Sequence, residues 1–260
     1  MAGVRPLDLE KRMRAFPSPE FFRDHIVMHT HIEKTAGSSL TRGLLEAFGR
    51  GHVWDIRGRK REKPELLSAA DRDQIFVLAG HFPYGAHAGL FDRIPVYIAC
   101  VRAPLQRFRS AYDFVRTRPN HPSYRRIQDK TFGQAVEDVL KAPKSRLNIM
   151  SRFLTGQVQP GLAHLLKNVE DDYLIVSPSH RVNETLNALI PLLGGGTLEA
   201  DLHRNRTPEP SSEDVGDFRE LFDRANALDV ELMQYVEANY DRWLEQLPAR
   251  LSALNRRTAS

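Results

Sequence analysis

The sequence predicts an α/β protein: a parallel sheet flanked by helices, with a helical C-terminal part. Two short runs, Gln74 to Ala79 and Pro95 to Val101, are almost wholly apolar, which is how strands buried on both faces read. Two further segments, 25–32 and 172–176, have strand composition, and three of the four are followed by apolar residues at helical spacing. Alternation of this kind implies crossover units and a sheet covered on both faces. The chain has 260 residues, 41% of them hydrophobic and 27% charged, so it can bury a substantial core as one large domain.

In chain order, residues 1–24 read as an N-terminal arm with a short helix at Leu7 to Arg14, ended by Phe-Pro-Ser-Pro. The strand at 25–32 leads through a tight loop into a helix whose apolar stripe is Leu40, Leu44, Leu45 and Phe48, closed by Gly49. Residues 50–74 are charged and broken by Gly51, Gly58 and Pro64, predicting a loop with a short helix near Pro64 to Ala70. Pro104 suits a first helical turn, and Leu105, Phe108, Tyr112 and Val115 then recur at helical spacing. Segments 132–140, 147–154 and 182–193 predict further helices. Residues 202–212 read as irregular. Asp214 to Leu247 reads as one long or two consecutive helices with Phe218, Leu221, Phe222, Leu232, Tyr235 and Val236 inward, and 251–260 as a flexible tail after a single domain at 25–250.

The net charge is +4, and basic residues cluster at Arg57 to Lys63 and Arg116 to Arg126. Such patches attract anions without distinguishing them. No apolar run is long enough to span a membrane, and residues 1–25 carry Arg5, Lys11, Arg12 and Arg14 with no apolar region of a signal peptide to follow, so the expectation is a protein without integral membrane segment, in the cytoplasm. The single cysteine, Cys100, excludes an internal disulfide and a cysteine-based zinc cluster, and its apolar context predicts a buried strand position.

In parallel sheets ligands bind beyond the carboxyl ends of the strands. The loop Glu33 to Ser39 there carries Lys34, Thr35, Ala36, Gly37, Ser38 and Ser39 immediately before a helix. A helix start presents unpaired N–H groups and partial positive charge, so a phosphate would be held by backbone, hydroxyls and Lys34 together, in a P-loop-like way. The nucleoside-triphosphate motif Gly-x-x-x-x-Gly-Lys-Ser/Thr is absent, because here the lysine precedes the glycine. On spacing alone, an N-cap serine with a solvated lysine is the competing reading.

His31-Ile32-Glu33-Lys34-Thr35-Ala36-Gly37-Ser38-Ser39-Leu40 resembles the donor-binding segment of the carbohydrate sulfotransferases, particularly the group that includes heparan sulfate 2-O-sulfotransferase. Gly80-His81-Phe82-Pro83-Tyr84-Gly85 and the segment from Cys100 to Tyr112 match two more of its segments in order, and Asn148 to Gly156 matches a fourth more weakly. The resemblance spans roughly Ile26 to Gly156 and implies a donor, 3′-phosphoadenosine-5′-phosphosulfate (PAPS), with 3′,5′-diphosphoadenosine (PAP) as product. Lys34 and the cradle Thr35 to Ser39 would grip the 5′-phosphosulfate; Arg102 and Ser110 would hold the 3′-phosphate. His81 would be the general base that takes a proton from a glycan or other hydroxylated, possibly acidic acceptor, which would ride the basic runs. Nucleic acid is not the expected partner.

A histidine suits that role because it titrates near neutral pH. Arginine offers a fixed fork of donors to a phosphate dianion. No metal is required, since a sulfuryl group carries less negative charge than a phosphoryl group. His29, His31 and His87 are nearby competitors, with no convincing carboxylate to complete a zinc site.

Three positions depart from the family pattern: Glu33 replaces a proline and becomes a second candidate base, Ala103 replaces an acidic residue, and Met150 stands where a Gln is usual. His203 to Thr207 is a candidate closing loop. Two other readings are a P-loop-type nucleotide kinase, which would need triphosphate and magnesium, and a non-catalytic nucleotide or glycan binder.

Overall fold

The computed structural model describes residues 20–57, 63–142, 146–196 and 216–257. The expected helix at Leu7 to Arg14, the basic run at 58–62 and the loop containing His203 to Thr207 lie outside them.

A four-residue helix α1 (Phe21–Asp24) leads into β1 (His25–Thr30), followed by α2 (Gly37–Phe48), β2 (Val53–Asp55), α3 (Ala69–Asp73), β3 (Val77–Gly80) and β4 (Ile94–Val101). Then come α4 (Pro104–Arg116), α5 (Tyr124–Ile127), α6 (Phe132–Leu140), α7 (Ile149–Thr155), α8 (Leu162–Asp171), β5 (Tyr173–Pro178) and α9 (Val182–Leu192). The chain ends with α10 (Gly216–Ala225), α11 (Ala227–Glu245) and α12 (Leu247–Arg257). All strand pairs are parallel, in the order β2-β3-β1-β4-β5. The expected α/β sheet with flanking helices is what forms.

Every residue of β1 and β3 is buried, which explains their continuous apolar runs. Along β1 and β4, alternate residues face opposite ways. Val27, Val96, Ile98 and Cys100 join α2, α9 and α12 in one cluster, while Ile26, Met28, Tyr97 and Ala99 join α7, α8 and α11 in another. Cys100 is fully buried, and burial pushes its thiol up to about 12. A third cluster, with Phe108, Tyr112, Phe132, Val136 and Phe222, ties α4, α6 and α10 together beside the sheet.

Several boundaries differ from the sequence reading. The three-residue β2, α5 and α8 are additional elements. Gln74 to Phe76 precede β3, which starts at Val77 and runs on to Gly80. Leu221, expected inward, is exposed, because α10 turns Phe222 and not its neighbour toward α4. The expected tail is helical to Arg257, and Leu251 packs into the core. No helix among the described residues is long and apolar enough to cross a membrane.

The chain leaves β1 toward the β2 edge and leaves β4 toward β5 at the other edge. Because β1 and β4 are neighbours, their carboxyl ends flank the point where connections diverge, the crevice position at which sheets of this kind bind ligands.

Candidate functional site

Four loops meet at that crevice. After Thr30, the amide of His31 still donates to the Gly80 carbonyl (2.8 Å), which extends the β1–β3 ladder by one bond. The chain then turns through Lys34 (φ +67°) and Ala36 (φ +70°), both left-handed, into α2. These are non-glycine residues in a sparsely populated region, so the turn is held by its surroundings. Thr35 contributes to that hold: its hydroxyl is fully buried and donates to the Ile32 carbonyl at 2.9 Å.

At the end of the turn the amides of Ser39 and Leu40 reach the Ala36 carbonyl. No side chain caps α2. The uncapped start of a twelve-residue helix presents its first N–H groups and partial positive charge as a cradle for an anion. Gly37 has a reason the sequence did not reveal. A Cβ there would sit 2.3 Å from the His31 ring, so glycine is required for the imidazole to pack against the helix start. Ser39 is buried behind the cradle.

Cations surround it. Lys34 places its ammonium 3.9 Å from the centroid of the Phe114 ring, which the Arg118 guanidinium also covers at 3.5 Å. Burial, then Arg118 and Arg102, lower the Lys34 pKa to about 8, partly offset by Glu33 and Asp113. Arg102, at the end of β4, lies within 3.5 Å of the Lys34 carbonyl and gives its backbone N–H to the Met150 sulfur at 3.4 Å. The residue that departs from the family pattern thus anchors the strand end as a weak thioether acceptor. Ala103 is the N-cap of α4 and Pro104 its first residue, as the proline suggested; Ser110 is half-buried two turns on. Arg107 is 7% exposed and its Nε has no hydrogen-bond partner, and burial lowers its pKa against the pull of Asp229 and Glu33.

His81 follows β3 and sits beside the turn. Its Nδ1 is 2.7 Å from the His31 carbonyl, which can only accept, so Nδ1 carries a proton and, in the neutral ring, Nε2 is the acceptor nitrogen. That Nε2 is 3.9 Å from Glu33 Oε1, on side chains 37% and 67% exposed respectively. The His31 and His81 rings are 4.8 Å apart, and His31 stacks on His29 at 5.3 Å. Thr41 gives its hydroxyl proton to the Gly37 carbonyl (2.9 Å) and accepts from His29 Nδ1 (3.1 Å). Burial is the main cause that lowers His29 to about 3 and drives His31 far below the ordinary histidine range. Both are neutral packing residues. His87 lies apart, its Nδ1 2.8 Å from Glu65. No cluster of His, Cys, Asp or Glu that could hold a metal occurs among the described residues.

The sequence missed one site residue. Arg57 belongs by sequence to a basic run read as an acceptor patch, yet its side chain turns to the start of α2. Nothing in the charged run set it apart, because the strand that places it, β2, is too short to show in the sequence.

No protein-family model and no curated protein matches this chain. The residues fit a polyanion: an uncapped helix start and the cations Lys34, Arg102 and Arg57 meet at one loop, and His81 stands next to them.

Proposed function

We propose that the protein is a sulfotransferase that moves a sulfuryl group from PAPS to a hydroxyl of a carbohydrate or related polar acceptor, leaving PAP. The observation that carries this reading is the pairing of the uncapped α2 start and its Lys34-bearing turn with His81, one loop away, whose Nδ1–H is committed to a backbone carbonyl.

The donor, when bound, supplies an electrophilic sulfur and a phosphate leaving group. The amides of Lys34 to Ser38 and the Lys34 ammonium would hold its 5′ end. Arg102 and Ser110 would hold the 3′-phosphate, as the sequence resemblance implies. Lys34 would counter negative charge developing on the leaving oxygen, a task for which it must be protonated. His81 Nε2 would take the acceptor hydroxyl's proton as the new O–S bond forms. The His31 carbonyl fixes the His81 tautomer, and Glu33 lies beside Nε2. Glu33 is also close enough to serve as a second candidate base. A cytoplasmic setting is consistent with the reduced, buried Cys100.

Thermal denaturation with PAP, without magnesium, tests this reading. At a hundredfold excess over Kd, binding stabilises the fold by about 2.7 kcal/mol, a shift of a few degrees. No response to PAP combined with a response to magnesium and ATP would overturn the proposal in favour of a nucleotide kinase.

A further inference from the structure

We infer that Arg57, braced by Asp55, is an additional anion-contacting residue of the cradle, reading the 5′ substituent of the bound nucleotide. This deepens the donor reading above and rests on it for the identity of the nucleotide only.

Arg57 is fixed on two sides of its fork. Its Nε donates to Asp55 Oδ1 at 2.8 Å and its Nη2 to Oδ2 at 2.5 Å, while its backbone amide also reaches Oδ1 at 3.1 Å. A bidentate pair of this kind sets the plane of the guanidinium and leaves the third nitrogen to point where the pair directs it. That nitrogen, Nη1, donates to Ser38 Oγ at 2.8 Å and lies 3.4 Å from His31 Nε2. Ser38 belongs to the first turn of α2. The guanidinium edge therefore meets the cradle from the side opposite β4.

The long route of the chain explains this placement. Strand β2 pairs with β3, and the amide of Ile56 donates to the Ala79 carbonyl at 2.9 Å, so residue 57 emerges beside the ends of β3 and β1. Gly80 is needed there, since a Cβ would lie 2.3 Å from Ile56 Cγ1. Three cations then approach the loop from three elements: Lys34 from the loop itself, Arg102 from the end of β4 and Arg57 from the end of β2. With Arg102 assigned to the 3′-phosphate, the Arg57 position next to Ser38 matches the 5′ end. Asp55 is a positioning residue, acting through Arg57.

Calorimetric titration of the 260-residue chain tests the assignment. The parent, Arg57→Gln, Arg57→Lys and Asp55→Asn are each titrated with PAP, adenosine 3′-monophosphate and inorganic pyrophosphate. Loss of a charge-assisted contact should weaken PAP and pyrophosphate by about tenfold to a hundredfold in Arg57→Gln. Adenosine 3′-monophosphate, which lacks the 5′ group, should bind all four proteins equally. Arg57→Lys keeps the charge and should recover part of the loss, and Asp55→Asn should fall between. Equal affinity of the parent and Arg57→Gln for pyrophosphate, or equal losses for all three ligands, overturns the assignment. If Arg57→Gln does not fold, the same comparison is read from Arg57→Lys and Asp55→Asn. A parent that binds pyrophosphate but not PAP refutes the donor reading while leaving the Arg57 comparison measurable; a parent that binds none of the ligands refutes both.

Discussion

Acidification should unfold this protein through its buried histidines. His29 is fully buried on β1, with Nδ1 bonded to Thr41 and Nε2 without a partner. Burial lowers its pKa from 6.5 to about 3, and at about 1.4 kcal/mol per pH unit this corresponds to roughly 5 kcal/mol in favour of the unfolded state by the time pH has fallen to the folded value. His31, packed against Gly37 and His29, acts in the same direction. For a group whose folded pKa is depressed, the unfolded chain binds more protons below 6.5, so stability is lost as pH falls from 6.5 toward 3. Two such histidines give a slope of about 2.7 kcal/mol per pH unit well below 6.5. Urea unfolding at pH 7.5, 6.0, 5.5 and 5.0 measures it, and His29→Gln, which retains a donor for Thr41, should halve the slope. A flat stability between pH 7 and 5, or an unchanged slope in His29→Gln, would refute the claim that these rings are held neutral.

Other perturbations reach the cradle and its supports. PAP affinity should decline as pH rises through about 8, because Lys34 loses its charge there; calorimetry from pH 7 to 9.5 checks this, and Lys34→Ala should abolish the dependence. In Gly37→Ala the new methyl must displace the His31 ring, costing about 1–3 kcal/mol in urea unfolding and weakening PAP binding as well. Asp229 is fully buried and accepts the amides of Met150 and Ser151 and the Ser151 hydroxyl (3.1, 2.8 and 2.6 Å). Asp229→Ala should therefore cost about 3 kcal/mol in urea unfolding by leaving buried donors unmet.

The legible parts of the fold were those with strong local periodicity. The runs of β1 and β4 and the stripe of α2 carry their own pattern, and Pro104 marked the start of α4. The three residues of β2, set among charges and glycines, offered too little pattern to register. The turn was visible as a lysine-, hydroxyl- and glycine-bearing stretch. Its left-handed Lys34 and Ala36 were not, since neither residue type favours that conformation. Gly37 could be noticed as a glycine but not explained, because its neighbour His31 is fixed by tertiary packing. Arg57 illustrates the same limit: one more basic residue in a charged run, it reaches the α2 start only because β2 pairs with β3. His81 was nominated by position and resemblance; the structure adds its tautomer.

The most direct test of the account is transfer of labelled sulfuryl from PAPS to a panel of neutral, amine-bearing and acidic glycans at neutral pH, comparing the parent with His81→Ala. The account predicts labelled product with the parent on at least one acceptor, falling by about a hundredfold or more in His81→Ala while PAP binding is retained. Unchanged transfer by His81→Ala would contradict His81 as the base, and absence of transfer to every acceptor by a parent that binds PAP would contradict the assignment as an enzyme of glycan sulfation.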